Sequence, residues 1–180
     1  MVTATATGNT PSPTREAIDP RALRNALGCY ATGVAVVTAL ADSDTPVGLT
    51  VNSFTSVSLD PPLVLWSLSR RSPSRTAFEQ ASHFAVNVLT AEQQALSNRF
   101  ATPRPDKFAG VEWQRGHGGA PLLADCLAWF QCRRHLCHDG GDHIILLGRV
   151  EAFDHEPERD PLVFLTGRYH QAQPTGAAGY

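Results

Sequence analysis

A chain of 180 residues with 42% hydrophobic and 18% charged residues has the size and composition of one domain able to bury its own core. Its formal net charge of −2 leaves no electrostatic footprint for nucleic acid or an anionic membrane surface, and no apolar run approaches the roughly 20 residues that cross a bilayer. The N-terminus lacks a basic start followed by an apolar stretch, so Cys29, Cys126, Cys132 and Cys137 are expected as free thiols in the cytoplasm, without a disulfide framework.

In chain order, residues 1–17 are rich in Thr, Pro and Gly and are expected to form a flexible tail. Asp19-Pro20 then pairs a side-chain cap with proline at the first helical position. Leu23, Leu27 and Tyr30 follow at helical spacing, predicting an amphipathic helix of about three turns. GVAVVTAL, residues 33–40, reads as a buried strand, and ADSDTP as an acidic turn. A second strand-like run from Val47 to Val57 is cut off by Leu59-Asp60-Pro61-Pro62, since two prolines donate no ladder hydrogen bonds. LVLWSL predicts a third strand, Ser72-Pro73 opens a short helix to about Ala81, FAVNVL is a strand, AEQQALSNRFA a helix and ATPRPDKFAG a polar loop. Two alternating stretches, about Ala124 to His138 and Asp142 to Phe153, flank Asp139-Gly140-Gly141, a hairpin signal. Residues 171–180 are expected to form a second flexible tail, leaving one domain over 18–170. At least six strands with short helices and tight turns predict an antiparallel β-barrel and not a parallel βαβ sheet.

CRRHLCHDGGDH, residues 132–143, concentrates metal-ligating side chains. Strict strand alternation puts Cys132 and His138 on one face and His135 and Cys137 on the other, an arrangement that does not converge on a tetrahedral ion. Buried cysteines and exposed histidines are expected there, and no metal.

Three other segments carry more specific chemistry. GLTVNSFTSVSLDPPLVLWSL, residues 48–68, places Thr50, Asn52, Ser53, Thr55, Ser56 and Ser58 along strand, leaving backbone groups and the Asn52 amide for the edge of a planar heteroaromatic ring. A strand with one wet face is the ordinary alternative. In SRRSPSRTAFE, residues 69–79, arginines interleave with Ser72, Ser74 and Thr76 at a helix start, a combination that suits phosphate. Simple capping by Ser72 is the bland reading. Finally, His143 follows a glycine turn, and Arg168, Tyr169 and His170 follow another.

RALRNALGCYATGVAVVTA, GLTVNSFTSVSLDPPLVLWSL, HFAVNVL, GDHIILLGRV and PLVFLTGRYH occur in an order and spacing that resembles the short-chain flavin reductases, the reductase partners of two-component flavin-dependent monooxygenases. The resemblance spans about Ile18 to His170. It implies a mainly β fold, an antiparallel Greek-key split β-barrel of the FMN-binding type with short flanking helices, usually a homodimer. It implies an NAD(P)H-dependent flavin reductase, reducing FMN or FAD by hydride transfer from NADH or NADPH and supplying a partner monooxygenase. By the family's pattern, Thr50, Val51, Asn52 and Ser53 lie along the isoalloxazine ring. Ser67, Ser72 and Thr76 lie near the ribityl phosphate, with Asn87 and Val88 close by. His143 and Tyr169 border the nicotinamide in positioning roles, and Arg168 is a candidate contact for the dinucleotide. No G-x-G-x-x-G follows a strand, so the nicotinamide cofactor is expected on the barrel itself. Apolar arms such as HIILLGRV support a homodimer independently. The competing readings are a non-catalytic flavin- or haem-binding split barrel and, less favoured, a flavin-dependent reductase of a bound small molecule such as a corrinoid.

Overall fold

The computed structural model describes residues 18–41, 44–172 and 176. The expected tail over 1–17 and most of that over 171–180 lie outside the described residues. Twelve strands are found among them: β1 (Thr32–Gly33), β2 (Ala35–Leu40), β3 (Pro46–Val51), β4 (Thr55–Leu59), β5 (Pro62–Ser69), β6 (His83–Val88), β7 (Trp113–Arg115), β8 (Pro121–Leu123), β9 (Ala128–Gly140), β10 (His143–His155), β11 (Leu162–Leu165) and β12 (Arg168–Gln171). Three helices join them: α1 (Pro20–Leu27), α2 (Arg75–Gln80) and α3 (Gln94–Ala101).

Seven strands form one antiparallel sheet in the order β3-β2-β6-β9-β10-β5-β4. Its edge strands, β3 and β4, are consecutive in the chain and separated by Asn52-Ser53-Phe54 alone. Flat, a seven-strand sheet would hold its edges about 29 Å apart. Four Cα steps span at most roughly 14 Å. The sheet therefore curls until its edges nearly meet, giving a split β-barrel. Val47–Val57, expected as one run, is two strands, and the break is this connection.

The barrel interior is filled from alternating positions. Trp66 is fully buried at its centre, with Phe78 and Phe84 edge-on at 5.0 and 5.9 Å. Phe78 comes from α2, which is thereby fixed against the barrel. A second apolar cluster under α3 joins Val34, Val36, Leu89, Phe100, Leu123 and Leu162, with Phe164 and Tyr169 packed on it. β11 and β12, together with β1, make the small sheet that closes this side; neither strand stood out in the sequence.

α1 carries the expected cap, with the Asp19 carboxylate accepting from the Arg21 amide at 2.9 Å. It is shorter than expected, at eight residues, and buries none of them. Ser74, and not Ser72, precedes α2, whose cap has no side-chain hydrogen bond.

The long hairpin β9–β10 contains a register shift. Leu147 pairs Leu136, while the adjacent Gly148 pairs Arg134, leaving His135 as a bulge. The extra residue reverses side-chain parity along β9. Cys137 opposite Leu146 and Cys132 opposite Val150 consequently lie on one side of the hairpin and His138 opposite Ile145 on the other, although Cys137, beyond the end of β6, is exposed. The expected division, Cys132 with His138 against His135 with Cys137, is thereby corrected. Among the described residues, no group of three or more His, Cys, Asp or Glu side chains could hold a metal ion.

Gly148 sits where β9, β10 and β6 crowd together. A Cβ there would collide with the Phe84 ring and stand 2.8 Å from the Cys132 Cβ. Gly148→Ala is expected to cost about 1–3 kcal/mol through overpacking. Thermal unfolding checks this, with a fall in Tm of about 2–4 °C for each kcal/mol in a chain of this size.

Candidate functional site

The connection that closes the barrel also exposes polar groups at the slot. The Ser53 hydroxyl accepts from the Ser67 amide at 2.9 Å, pinning the connection to β5. Val51 points inward and is buried in the barrel core, so any contact it offers a ligand is through its backbone. Asn52 is exposed and faces a cleft of about 610 Å³, well within the range of small-molecule sites.

That cleft is built by four separate segments. The end of α1 contributes Leu27 and Tyr30, β1 contributes Thr32, the β3–β4 connection contributes Asn52, and β11 with its following turn contributes Phe164 and Thr166. Leu27 and Tyr30 are 67% and 78% exposed, an unusual state for large apolar side chains, and together with Phe164 they give the cleft apolar walls. The Thr32 hydroxyl is buried and has no hydrogen-bond partner among the described residues. Buried hydroxyls are ordinarily hydrogen-bonded, so an unpaired one beside an apolar cleft fits a polar ligand edge. Arg24 at the rim adds positive charge. The cleft residues therefore fit a planar, partly polar ring system carrying phosphate. By contrast, a second cleft of about 430 Å³ between Trp113 and Trp129 carries Glu112, Asp154 and Glu156, whose charges would repel phosphate.

Thr50 and Tyr169 meet behind the cleft on α3. The Thr50 hydroxyl donates to the Ser97 carbonyl at 2.6 Å, and the Ser97 hydroxyl pairs with the Tyr169 hydroxyl at 2.8 Å. Tyr169 itself does not line the cleft. It stands opposite Phe164 across β11 and β12, with the rings 5.3 Å apart and tilted by 66°. Arg168 is exposed beside it, at the start of β12.

The remaining expected residues lie elsewhere. Ser67 and His143 share the outward face of β5 and β10, where His143 pairs Ser69 and Ile145 pairs Ser67. His143 is not among the cleft residues; its Nδ1 is 2.7 Å from the Asp142 carboxylate, and this contact holds the Asp142 carboxyl below its ordinary range. Ser72 is half-buried and accepts from the Ser74 amide at 3.3 Å, while Thr76 is exposed on the six-residue α2. Two of the neighbouring arginines are engaged, Arg70 with Asp139 and the Gly141 carbonyl, Arg75 with Glu79.

Asn87, expected near a ligand phosphate, needs correction. It is fully buried in β6, its amide nitrogen donating to the Val36 carbonyl at 3.0 Å and the Thr38 hydroxyl at 3.1 Å. Its oxygen accepts from the Leu123 amide at 2.9 Å. Asn87 is a bracket tying β2, β6 and β8 together, and its amide is fully buried with both ends engaged by the protein. Val88 is half-buried against the barrel core. The residues missed by sequence reasoning are Leu27, Tyr30, Thr32, Phe164 and Thr166. The short apolar run LVFL, residues 162–165 between Pro161 and Thr166-Gly167, was the available signal for Phe164.

The thiols divide by burial. Desolvation pushes Cys126 and Cys132 up to about 12, whereas Cys29 and Cys137 are exposed. No helix among the described residues is long and apolar enough to cross a membrane.

The family model described as a flavin reductase like domain matches residues 27–173. A probable flavin reductase of Rhizobium meliloti is 50% identical over 141 residues, which cover 78% of this chain and 45% of that relative. The chain thus spans less than half the length of that protein. An FMN reductase (NADH) of Agrobacterium fabrum is 48% identical over 149 residues, covering 83% of this chain and 84% of the relative. The solved structure of a Streptomyces globisporus NADH:FAD oxidoreductase in complex with NAD and FAD fragments superposes with a TM-score of 0.83 at 38% identity, covering 91% of this chain and all of the other.

Asn87→Ala is expected to cost about 3 kcal/mol in chemical denaturation, because it strands the Leu123 amide and the Val36 carbonyl in the core. Flavin affinity of the folded protein should stay within about two-fold of the native value; lost affinity at unchanged stability would return Asn87 to the ligand site.

Proposed function

Because the chain belongs to the flavin reductase like family, we propose that it is an NAD(P)H-dependent flavin reductase that supplies reduced FMN or FAD to a partner monooxygenase. The observation that carries this reading is the apolar cleft in which Asn52, from the slot of the barrel, meets Phe164 and the unpaired Thr32 hydroxyl. When bound, nicotinamide and flavin supply the hydride transfer between them, so the chain's task is binding, stacking and exclusion of water. Asn52 and the backbone of Thr50, Val51 and Ser53 hold the flavin edge. Leu27, Tyr30 and Phe164 form the apolar walls that orient stacked rings. Ser67, Ser72 and Thr76 are the candidate contacts for the flavin phosphate, and Arg168 is the candidate for the dinucleotide. His143, oriented by Asp142, borders the nicotinamide from the outward face of β10, and Tyr169 acts through its neighbour Phe164. The Tyr169 hydroxyl is engaged by Ser97, which supports a positioning role for this side chain and argues against acid catalysis. Four free cysteines suit a reducing cytoplasm.

The test is oxidation of NADH and of NADPH with added FMN or FAD. Flavin-dependent turnover with at least one pair is expected. Tight flavin binding without turnover would establish a carrier instead, and neither binding nor turnover would overturn the reading.

The same reading includes a homodimer. Leu63, Leu65, Ile145, Leu147 and Leu136 form an apolar stripe on the outward face of β5, β10 and β9, all at least partly exposed. A second copy of the chain is the occupant we assign to it, continuous with the face that bears Ser67 and His143. Light scattering should give twice the 19.4 kDa chain mass; a monomer at micromolar concentration would refute the assignment.

A further inference from the structure

Ser97 lies outside the cleft, on α3, and is completely buried. It nevertheless bonds to two strands that end at the cleft. Its carbonyl accepts from Thr50, two residues before Asn52, and its hydroxyl pairs with Tyr169, whose ring packs against Phe164. Asn52 and Phe164 both line the cleft, Asn52 from the connection after β3 and Phe164 from β11, which belongs to the other sheet. Ser97 is the residue through which polar bonds connect these two sides.

We infer that Ser97 is a positioning residue for the nicotinamide ring, acting through Tyr169 on Phe164. This deepens the proposed function and rests on the apolar wall that Phe164 gives the cleft, against which the nicotinamide would stack. The physical basis is the freedom of a half-buried aromatic pair. Phe164 and Tyr169 belong to two paired four-residue strands, are both partly exposed, and pack against the cluster under α3. The hydroxyl pair is the polar tie that fixes the Tyr169 ring against α3; removing either hydroxyl breaks this tie, leaves the other without it, and frees the ring to change its angle. Phe164, in edge contact with it, would lose the support that holds its ring at one angle to the cleft. Flavin contacts on the Asn52 side depend instead on the Ser53–Ser67 bond, the β2–β3 ladder and the Thr50 bond to the Ser97 carbonyl, none of which uses the Ser97 hydroxyl. The effect should therefore fall on nicotinamide and spare flavin.

The experiment compares Ser97→Ala, Tyr169→Phe, the double variant and Phe164→Ala with the native protein. It measures NAD+ and flavin dissociation constants by calorimetry, KM and kcat for NADH, and thermal unfolding. Tyr169→Phe removes the same hydrogen bond from the strand side and keeps the ring, which covers the case of Ser97→Ala failing to fold. Ser97→Ala should weaken NAD+ binding and raise the KM for NADH about five-fold, the size of one net hydrogen bond, with flavin affinity and kcat within about two-fold of native; Tyr169→Phe should lose NAD+ affinity to the same extent, and Phe164→Ala should lose more. The double variant should be no worse than either single one, since both remove one interaction. Native nicotinamide affinity in Tyr169→Phe alongside a large loss in Phe164→Ala would overturn the role of Ser97 and leave the cleft assignment standing. Native affinity in Phe164→Ala as well would overturn both. Additive effects in the double variant, or an equal loss of flavin affinity, would overturn the role of Ser97.

Discussion

Three residues between two edge strands shape this molecule. Asn52-Ser53-Phe54 are too few to bridge a flat seven-strand sheet, so the sheet must roll, and Trp66 with its aromatic neighbours fills the space that rolling creates. The edge strands β3 and β4 are not hydrogen-bonded to each other, so the barrel stays split along them, and the connection crosses that slot. The slot and the ligand-facing residues are thus one feature. Polar side chains are tolerated at Asn52 and Ser53 because the ladder is interrupted there, and their backbone groups have no strand partner to satisfy them.

A second layer is added to the barrel by α3 and the β1–β11–β12 sheet. Its apolar cluster is separate from the barrel interior, and the cleft forms where the two meet. α1 extends exposed Leu27 and Tyr30 over that junction, without burying any residue of its own helix. Rigid elements therefore supply one wall of the cleft and a lightly held helix end supplies the other.

Much of this architecture was legible from local pattern. The hairpin at Asp139-Gly140-Gly141, the capped helix at Asp19 and the prolines at 61 and 62 announce themselves through turn chemistry, and the barrel follows from many short strands with tight connections. Features set by partners distant in sequence were less legible. The bulge at His135 adjoins the close packing of Gly148, Phe84 and Cys132, and it reversed the faces expected for Cys137 and His138. Asn87 resembled a ligand contact because polar groups in apolar strands attract notice; its partners Val36 and Leu123 lie 51 and 36 residues away. Phe164 and Thr32 acquire meaning only when β1 and β11 pair.

The depth of Cys126 and Cys132 has a chemical consequence for durability. Reduced flavin that meets oxygen in solution generates peroxide, so a protein that handles it works beside an oxidant of its own making. Peroxide attacks thiolate, and a thiol pushed to about 12 holds only about one part in 10⁵ as thiolate at neutral pH. The two cysteines whose oxidation would force a polar sulfur into the core are the two that packing has made inert. Damage would instead collect on Cys29 and Cys137, where an added oxygen meets water and leaves both clusters intact.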